Sequence, residues 1–315
     1  MHRFVFLFPG QGAQYVGMGA SFYENFSKAR EVFEEANEIL HTDLSGIIFN
    51  GPEDMLTETK TAQPAIFVTS MAILRVLKEE FSLPQPVCTA GLSLGEYSAI
   101  TCANAIDFES ALKLVQLRSS LMHTACETTS GGMLVILGLK DDQVKSMVRE
   151  INMPSDLWCA NFNCPGQVVV SGTEKGLQAA QKAAKELGAK RALPLQVHGA
   201  FHSGLMSLAQ EGVEKALATT SIRSPDLPIA MNATGQIAIS AEEIKQNLGK
   251  QVTSSVLWHQ CVETCMQENP SHCVEIGCGS TLAGLNKRMG IEVPTITIET
   301  VEDLEALDTL LSKTQ

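Results

Sequence analysis

Val87-Cys-Thr-Ala90 leads directly into Gly91-Leu-Ser93-Leu-Gly95. The first four residues read as a short buried strand. The two glycines permit a sharp turn that a Cβ would obstruct, and a helix follows. A strand that turns this abruptly into a helix belongs to an α/β architecture, and the flanking sequence agrees. Phe4–Phe8 is an apolar run stopped by Pro9-Gly10, which predicts a first buried strand. Phe22, Phe26, Ala29, Phe33, Ala36 and Leu40 recur at spacings of three and four and predict a helix. A second helix is expected to start at Gln63-Pro64, with proline in its first turn, and to run to about Phe81. Another is expected from about Phe108 to Ala125. After Pro225–Pro228, Ile229-Ala-Met-Asn232 reads as a strand. So does Cys273-Val-Glu-Ile276, which Gly277-Cys-Gly-Ser-Thr281 turns into a helix over Leu282–Lys287.

The middle of the chain has its own order. Met133–Leu139 predicts a strand and Asp141–Ile151 a helix. Leu157–Asn163 and Gln167–Gly172 predict two strands joined by a Cys-Pro-Gly turn. Thr173–Leu187 predicts an alanine-rich helix and Arg191–Val197 a strand. The order β-α-β-β-α-β is the ferredoxin-like arrangement. Residues 128–197 are therefore expected to form a small subdomain inserted into a larger α/β body made of residues 1–127 and 198–315.

Size and charge narrow the functions. The 315 residues suit about two domains, or one with an insertion. With 35 acidic and 23 basic residues the net charge is −12. Such a chain is a poor general binder of nucleic acid or of anionic membranes. An anionic partner needs a local basic patch, for which Lys190-Arg191 and Lys287-Arg288 are candidates beside their reading as ordinary solvated charge. No apolar run approaches the ~18 residues of a membrane span, and Phe4–Phe8 is too short for a signal-peptide core. The nine scattered cysteines read as buried thiols in a reducing compartment, so a cytoplasmic location is expected. Cys261-x3-Cys265 and His272-Cys273 lack zinc spacing, and no metal site is expected. No coiled-coil seam is visible, which favours a monomer.

Ser93 sits at the tip of the turn, where free helix N–H groups stabilise developing negative charge. An ordinary N-cap serine would look the same, but the strand–turn–helix context favours a nucleophile. Its base is sought among seven histidines. His2, His41, His123, His259 and His272 read as structural. His202, in the loop His198-Gly-Ala-Phe-His202-Ser203, is the leading candidate and His198 the second. Asp107, Asp141, Asp142 and Asp156 lie between serine and histidine, none in a triad context, so a dyad oriented by a backbone carbonyl is expected. Arg118 falls in an apolar helical stripe with Leu114 and Met122. It reads either as a structural ion pair or snorkelling side chain, or as a guanidinium awaiting a substrate carboxylate. Pro9-Gly-Gln-Gly-Ala-Gln14 matches neither a dinucleotide nor a Walker loop, yet it can offer backbone N–H donors to an oxyanion.

Seven ordered stretches carry a resemblance across about residues 3–290: Phe8-Pro-Gly-Gln-Gly-Ala-Gln14, Thr61-Ala-Gln-Pro-Ala65, Gly91-Leu-Ser-Leu-Gly-Glu-Tyr-Ser-Ala99, Gln116-Leu-Arg118, Ala160-Asn-Phe-Asn-Cys-Pro-Gly-Gln167, Gly199-Ala-Phe-His-Ser203 and Glu275-Ile-Gly277. Together they resemble the malonyl-CoA:acyl carrier protein transacylases of dissociated (type II) fatty acid synthesis. The resemblance implies an α/β-hydrolase-like large subdomain and a ferredoxin-like small one. It implies Ser93 as the nucleophile that carries the malonyl ester and His202 as the base, oriented by the backbone carbonyl of Gln251. It implies an oxyanion hole from the N–H groups of Gln11 and Leu94, and Arg118 as the malonyl carboxylate's partner. Asn161 and Gln167 would shape the mouth between subdomains. The substrates would be malonyl-CoA and holo-acyl carrier protein, without a further cofactor. Three positions depart from the family: Leu92 stands where histidine is usual, Cys164 where serine is commoner and Ser255 where proline is common. An acyl hydrolase of the same fold, or a transacylase for another acyl unit, would share most of these residues. A carrier-protein-binding module that has lost catalysis would not be expected to keep Ser93, His202 and Arg118 together.

Overall fold

The computed structural model describes residues 2–81, 83–197 and 199–312. Its strands are β1 (Phe4–Phe8), β2 (Cys88–Gly91), β3 (Gly132–Leu137), β4 (Leu157–Cys164), β5 (Gln167–Gly172), β6 (Arg191–Pro194), β7 (Ile229–Ala230), β8 (Ile237–Ala238), β9 (His272–Ile276) and β10 (Thr295–Ile298). They form two sheets. The larger has the order β10-β9-β1-β2-β7-β8 and is parallel except for β8. Every residue of β1 is buried, as a central parallel strand with both faces covered requires. β1 and β2 run side by side from Val5–Cys88 to Phe8–Gly91, so the loops after both strands emerge together at their carboxyl ends. Ligand sites of open α/β sheets lie in that position.

The second sheet is antiparallel, with the order β4-β5-β3-β6. The helices Asp141–Ile151 and Glu174–Glu186 complete the ferredoxin-like pattern. Alternation sends Leu134, Ile136, Val168 and Val170 into a core with Val144, Met147, Ala180 and Ala184 from those helices. Met133 and Val169 point the other way, toward the larger body.

The structure departs from the sequence reading in three places that matter. The helix expected across Phe22–Leu40 is two helices, Ala20–Asn25 and Ser27–Leu40, broken at an extended Phe26. The apolar spacing survives a single extended residue, and Phe26 still packs on Phe22 and Phe81. The helix placed at Gln63 starts four residues earlier and spans Thr59–Glu79, with Pro64 inside it. Proline has no N–H for the carbonyl of Lys60. That oxygen instead faces the Ser119 hydroxyl at 3.3 Å, which ties this helix to the neighbouring helix Phe108–Thr128. The last small-sheet strand ends at Pro194 rather than Val197. Leu195 and Val197 turn to line the cavity described next.

Candidate active site

The turn between β2 and the helix Gly95–Cys102 leaves no room for other residues. A Cβ on Gly91 would meet the Gly95 carbonyl oxygen at 1.9 Å, and one on Gly95 would meet the Phe8 carbonyl oxygen at 2.2 Å. Ser93 sits between them in the left-handed region with φ 50°. The Asn232 side chain latches the turn. Its Oδ1 accepts from the Ser93 N–H at 2.7 Å and its Nδ2 donates to the Gly91 carbonyl at 2.8 Å.

Ser93 Oγ lies 2.9 Å from His202 Nε2. His202 also has a positive φ, 57°. Its Nδ1 lies 2.8 Å from the backbone carbonyl of Gln251. A carbonyl only accepts, so Nδ1 carries the proton and Nε2 is free to accept from the serine. Burial, reinforced by the Arg118 charge, lowers the His202 pKa to about 4. The imidazole is therefore neutral at pH 7, in the form that can act as a base.

Arg118 is fully buried. Nη1 donates to Gln63 Oε1 at 2.5 Å, and Nη2 to Gln251 Oε1 at 2.9 Å and Ser93 Oγ at 3.0 Å. These acceptors are all uncharged. Nε has no partner among the described residues, and the guanidinium carbon lies 5.6 Å from the centre of the Tyr97 ring. The Glu96 carboxyl, also fully buried, accepts from the Asn232 N–H at 2.5 Å and from Gln251 Nε2 at 2.6 Å. Burial pushes its pKa up to about 8 against the pull of these donors and of Arg118.

A cavity of about 230 Å³ opens onto Ser93 and His202. Gln11, Gln63, Leu92, Met122 and Phe201 line it from the larger body, and Met133, Asn161 and Val169 from the small sheet. The N–H groups of Gln11 and Leu94 donate no hydrogen bond among the described residues. Both lie in the loops that the parallel pairing of β1 and β2 brings together. Asn161 lines the cavity, whereas Gln167 does not. It sits two residues before Val169 on the same strand, and its Oε1 accepts from Arg288 at 2.5 Å. His198 lies outside the described residues. His123 and His259 pair with Glu127 and Glu263 one turn along their helices, as structural histidines. Sequence reasoning assigned no role to Gln63, Glu96 or Asn232. Their signal was polarity at otherwise apolar positions, with two of them inside the motifs that carry the resemblance. Among the described residues, no cluster of three or more His, Cys, Asp or Glu could hold a metal ion.

The strained serine at a strand–helix elbow, the histidine held by a carbonyl and the two-sheet body define an acyl transferase. The chain belongs to the acyl transferase domain family, whose profile matches residues 5–301. A malonyl CoA-acyl carrier protein transacylase of Bacillus subtilis (strain 168) is 40% identical over 312 residues, covering 98% of each chain. Among solved structures, an acyl carrier protein S-malonyltransferase from Vibrio cholerae superposes with a TM-score of 0.93 at 38% identity, over 97% of this chain and 99% of that one. A malonyl-transacylase in complex with its holo type II PKS acyl-carrier protein superposes with a TM-score of 0.93 at 36% identity, over 96% and 98%.

Proposed function

We propose that this chain transfers the malonyl group of malonyl-CoA to the phosphopantetheine thiol of acyl carrier protein, through a malonyl ester on Ser93, in fatty acid biosynthesis. The observation that carries this reading is Arg118, a buried guanidinium that touches the nucleophile at 3.0 Å and has only uncharged acceptors. Next to the attacking oxygen, it selects an acyl group that ends in a carboxylate. His202 Nε2 takes the Ser93 proton as Oγ attacks the thioester carbonyl. The Gln11 and Leu94 N–H groups receive the oxyanion, where one such donor is typically worth about 10²–10³ in rate. The carbonyl re-forms, the C–S bond breaks, and the proton on His202 passes to the departing coenzyme A thiolate. The carrier thiol then repeats these steps in reverse on the ester. A thioester is exchanged for a thioester, so the reaction runs in both directions. No bound metal is needed for these steps.

In this reading residues 128–197 form the small subdomain that closes the cavity over the body made of 1–127 and 198–315. Asn161 shapes its mouth, and Gln167 acts through Arg288 at the seam. Exposed Lys287 and Arg288, with Lys190 and Arg191 on the small sheet, are the basic surface for an acidic carrier protein. The nine free cysteines fit a reducing cytoplasm, and a monomer suffices for every step. Among the described residues, no helix is long and apolar enough to cross a membrane.

Intact-protein mass spectrometry after brief exposure to malonyl-CoA tests the reading. A malonyl adduct is expected on the native chain, absent from Ser93→Ala and discharged by holo-acyl carrier protein. Free malonate accumulating without an acceptor would overturn it in favour of a hydrolase.

A further inference from the structure

Two arms hold the reacting groups; they meet at one long contact of 3.5 Å, from Gln251 Nε2 to Asn232 Oδ1, and Glu96 bridges them. The first arm is Asn232, which fixes both ends of the serine turn. The second is Gln251. Its backbone carbonyl accepts from His202 Nδ1, its Oε1 accepts from Arg118, and its Nε2 donates to the Ser93 carbonyl at 2.9 Å. Glu96 grips each arm with a different oxygen, Oε1 on the Asn232 N–H and Oε2 on Gln251 Nε2. It touches none of the reacting atoms. We infer that Glu96 is a positioning residue, whose carboxylate fixes the amide orientation of Gln251 and thereby aims Arg118 and His202 at Ser93.

The logic is one of donors and acceptors. An amide side chain has one oxygen and one NH₂ end, and only its surroundings decide which points where. Gln251 must present its oxygen to Arg118, a pure donor. Its NH₂ must then find acceptors on the other side, and Glu96 Oε2 and the Ser93 carbonyl are those acceptors. Once ionised, above its pKa of about 8, the Glu96 carboxylate is acceptor-only, and it enforces this orientation where an amide would tolerate either. Glu96→Gln keeps the shape but puts an NH₂ against one of the two N–H donors. The clash is relieved by flipping Gln251, which turns its NH₂ toward Arg118 and pushes the guanidinium from its place. The Arg118 charge offsets part of the burial cost that disfavours an anionic Glu96, without direct contact between the two.

This inference rests on the malonyl-transfer reading above. The test compares native, Glu96→Gln and Glu96→Ala chains with malonyl-CoA and acetyl-CoA, using holo-acyl carrier protein as acceptor and thermal melting as the folding control. Both variants are expected to lose about tenfold to hundredfold in kcat with malonyl-CoA. The malonyl-over-acetyl ratio should fall with it, because a misaimed Arg118 no longer rewards the carboxylate. A merely structural residue would lower both substrates alike. An unchanged ratio in a folded Glu96→Gln chain overturns the inference. If that variant does not fold, Gln251→Met cuts the same link from its other end and keeps the carbonyl that holds His202. It must then show the same loss of ratio, and a retained ratio refutes the positioning role. Absence of malonyl transfer by the native chain would instead sink the underlying reading.

Discussion

Replacing Arg118 by alanine removes a buried cation beside Ser93, and the structure sets the size of the effect. A malonyl carboxylate paired with the guanidinium fork gains two charge-assisted hydrogen bonds, about 1.5–3 kcal/mol each. The guanidinium already donates to Gln63, Gln251 and Ser93, while Nε–H is unpartnered. With five N–H donors available, the incoming carboxylate has to displace about one existing neutral bond, worth about 1 kcal/mol. The net preference is then about 2–5 kcal/mol, or roughly 30-fold to 5,000-fold in kcat/KM. Acetyl-CoA has no carboxylate and should change by less than about threefold, since it loses no charged pairing. Arg118→Lys keeps the charge without the fork and should lie between, about tenfold below the native chain with malonyl-CoA. The assay is kcat/KM for both thioesters with holo-acyl carrier protein, beside a thermal melt to show that each variant folds. A malonyl-over-acetyl ratio in folded Arg118→Ala equal to that of the native chain would refute the reasoning.

Four further outcomes follow from the same geometry. The acylation rate should fall on an acid limb near pH 4, where His202 protonates, well below the separate step near pH 8 that protonation of Glu96 brings; an imidazole limb near 6.5 in a pH–rate profile would contradict the burial argument. The same group links to stability: between about 6.5 and 4 the unfolded chain binds a proton that the folded chain refuses, so His202's contribution is complete above about 6.5 and declines as pH falls toward 4, by roughly 3 kcal/mol in all, measurable by urea unfolding at stepped pH. Gly91→Ala should not give a native elbow, because its Cβ would lie 1.9 Å from a backbone oxygen with no flexible side chain to yield; a normal melt and normal acylation would refute the packing. Asn232→Ala should cost about 2–5 kcal/mol of stability, since the Ser93 N–H and Gly91 carbonyl lose their partner in a dry site, and chemical denaturation reads it directly.

What could be read in the sequence follows from what leaves a local trace. The elbow was legible because two glycines flanking a serine, between an apolar run and a helix, suit a tight strand-to-helix turn and little else. The ferredoxin-like order was legible because its elements are short, alternate in period and end at Gly or Pro. Arg118 stood out as a charge in an apolar stripe. Glu96 did not, because a glutamate in the first turn of a helix is also the ordinary complement to the helix dipole. Gln63 was hidden by Pro64, which reads as a helix start and turned out to lie one turn inside. The Gln251 carbonyl carries no side-chain signal at all, and the resemblance alone supplied it. The helix Ala241–Gln251, which delivers that carbonyl, starts with a capping box at Ser240 and Glu243 that could have been read and was not.

The site must also stay assembled when empty, and magnitudes decide whether it does. Ser93 and His202 both occupy the left-handed region, at about 1–2 kcal/mol each for a residue with a Cβ. Against this stand four hydrogen bonds around the two residues: two from Asn232, one from Gln251 Nε2 to the Ser93 carbonyl and one from His202 Nδ1 to the Gln251 carbonyl. Each contributes about 1 kcal/mol net, and losing a partner in this buried setting costs about 1–3. The bonds therefore match or exceed the strain without help from substrate. They also converge on Asn232 and Gln251, the two residues that Glu96 joins. Strain borne this way keeps Oγ and Nε2 at 2.9 Å before malonyl-CoA arrives, so little of the binding energy goes into building the nucleophile. In the proposed reaction, the energy of a malonyl carboxylate on Arg118 is then free to separate one acyl group from another.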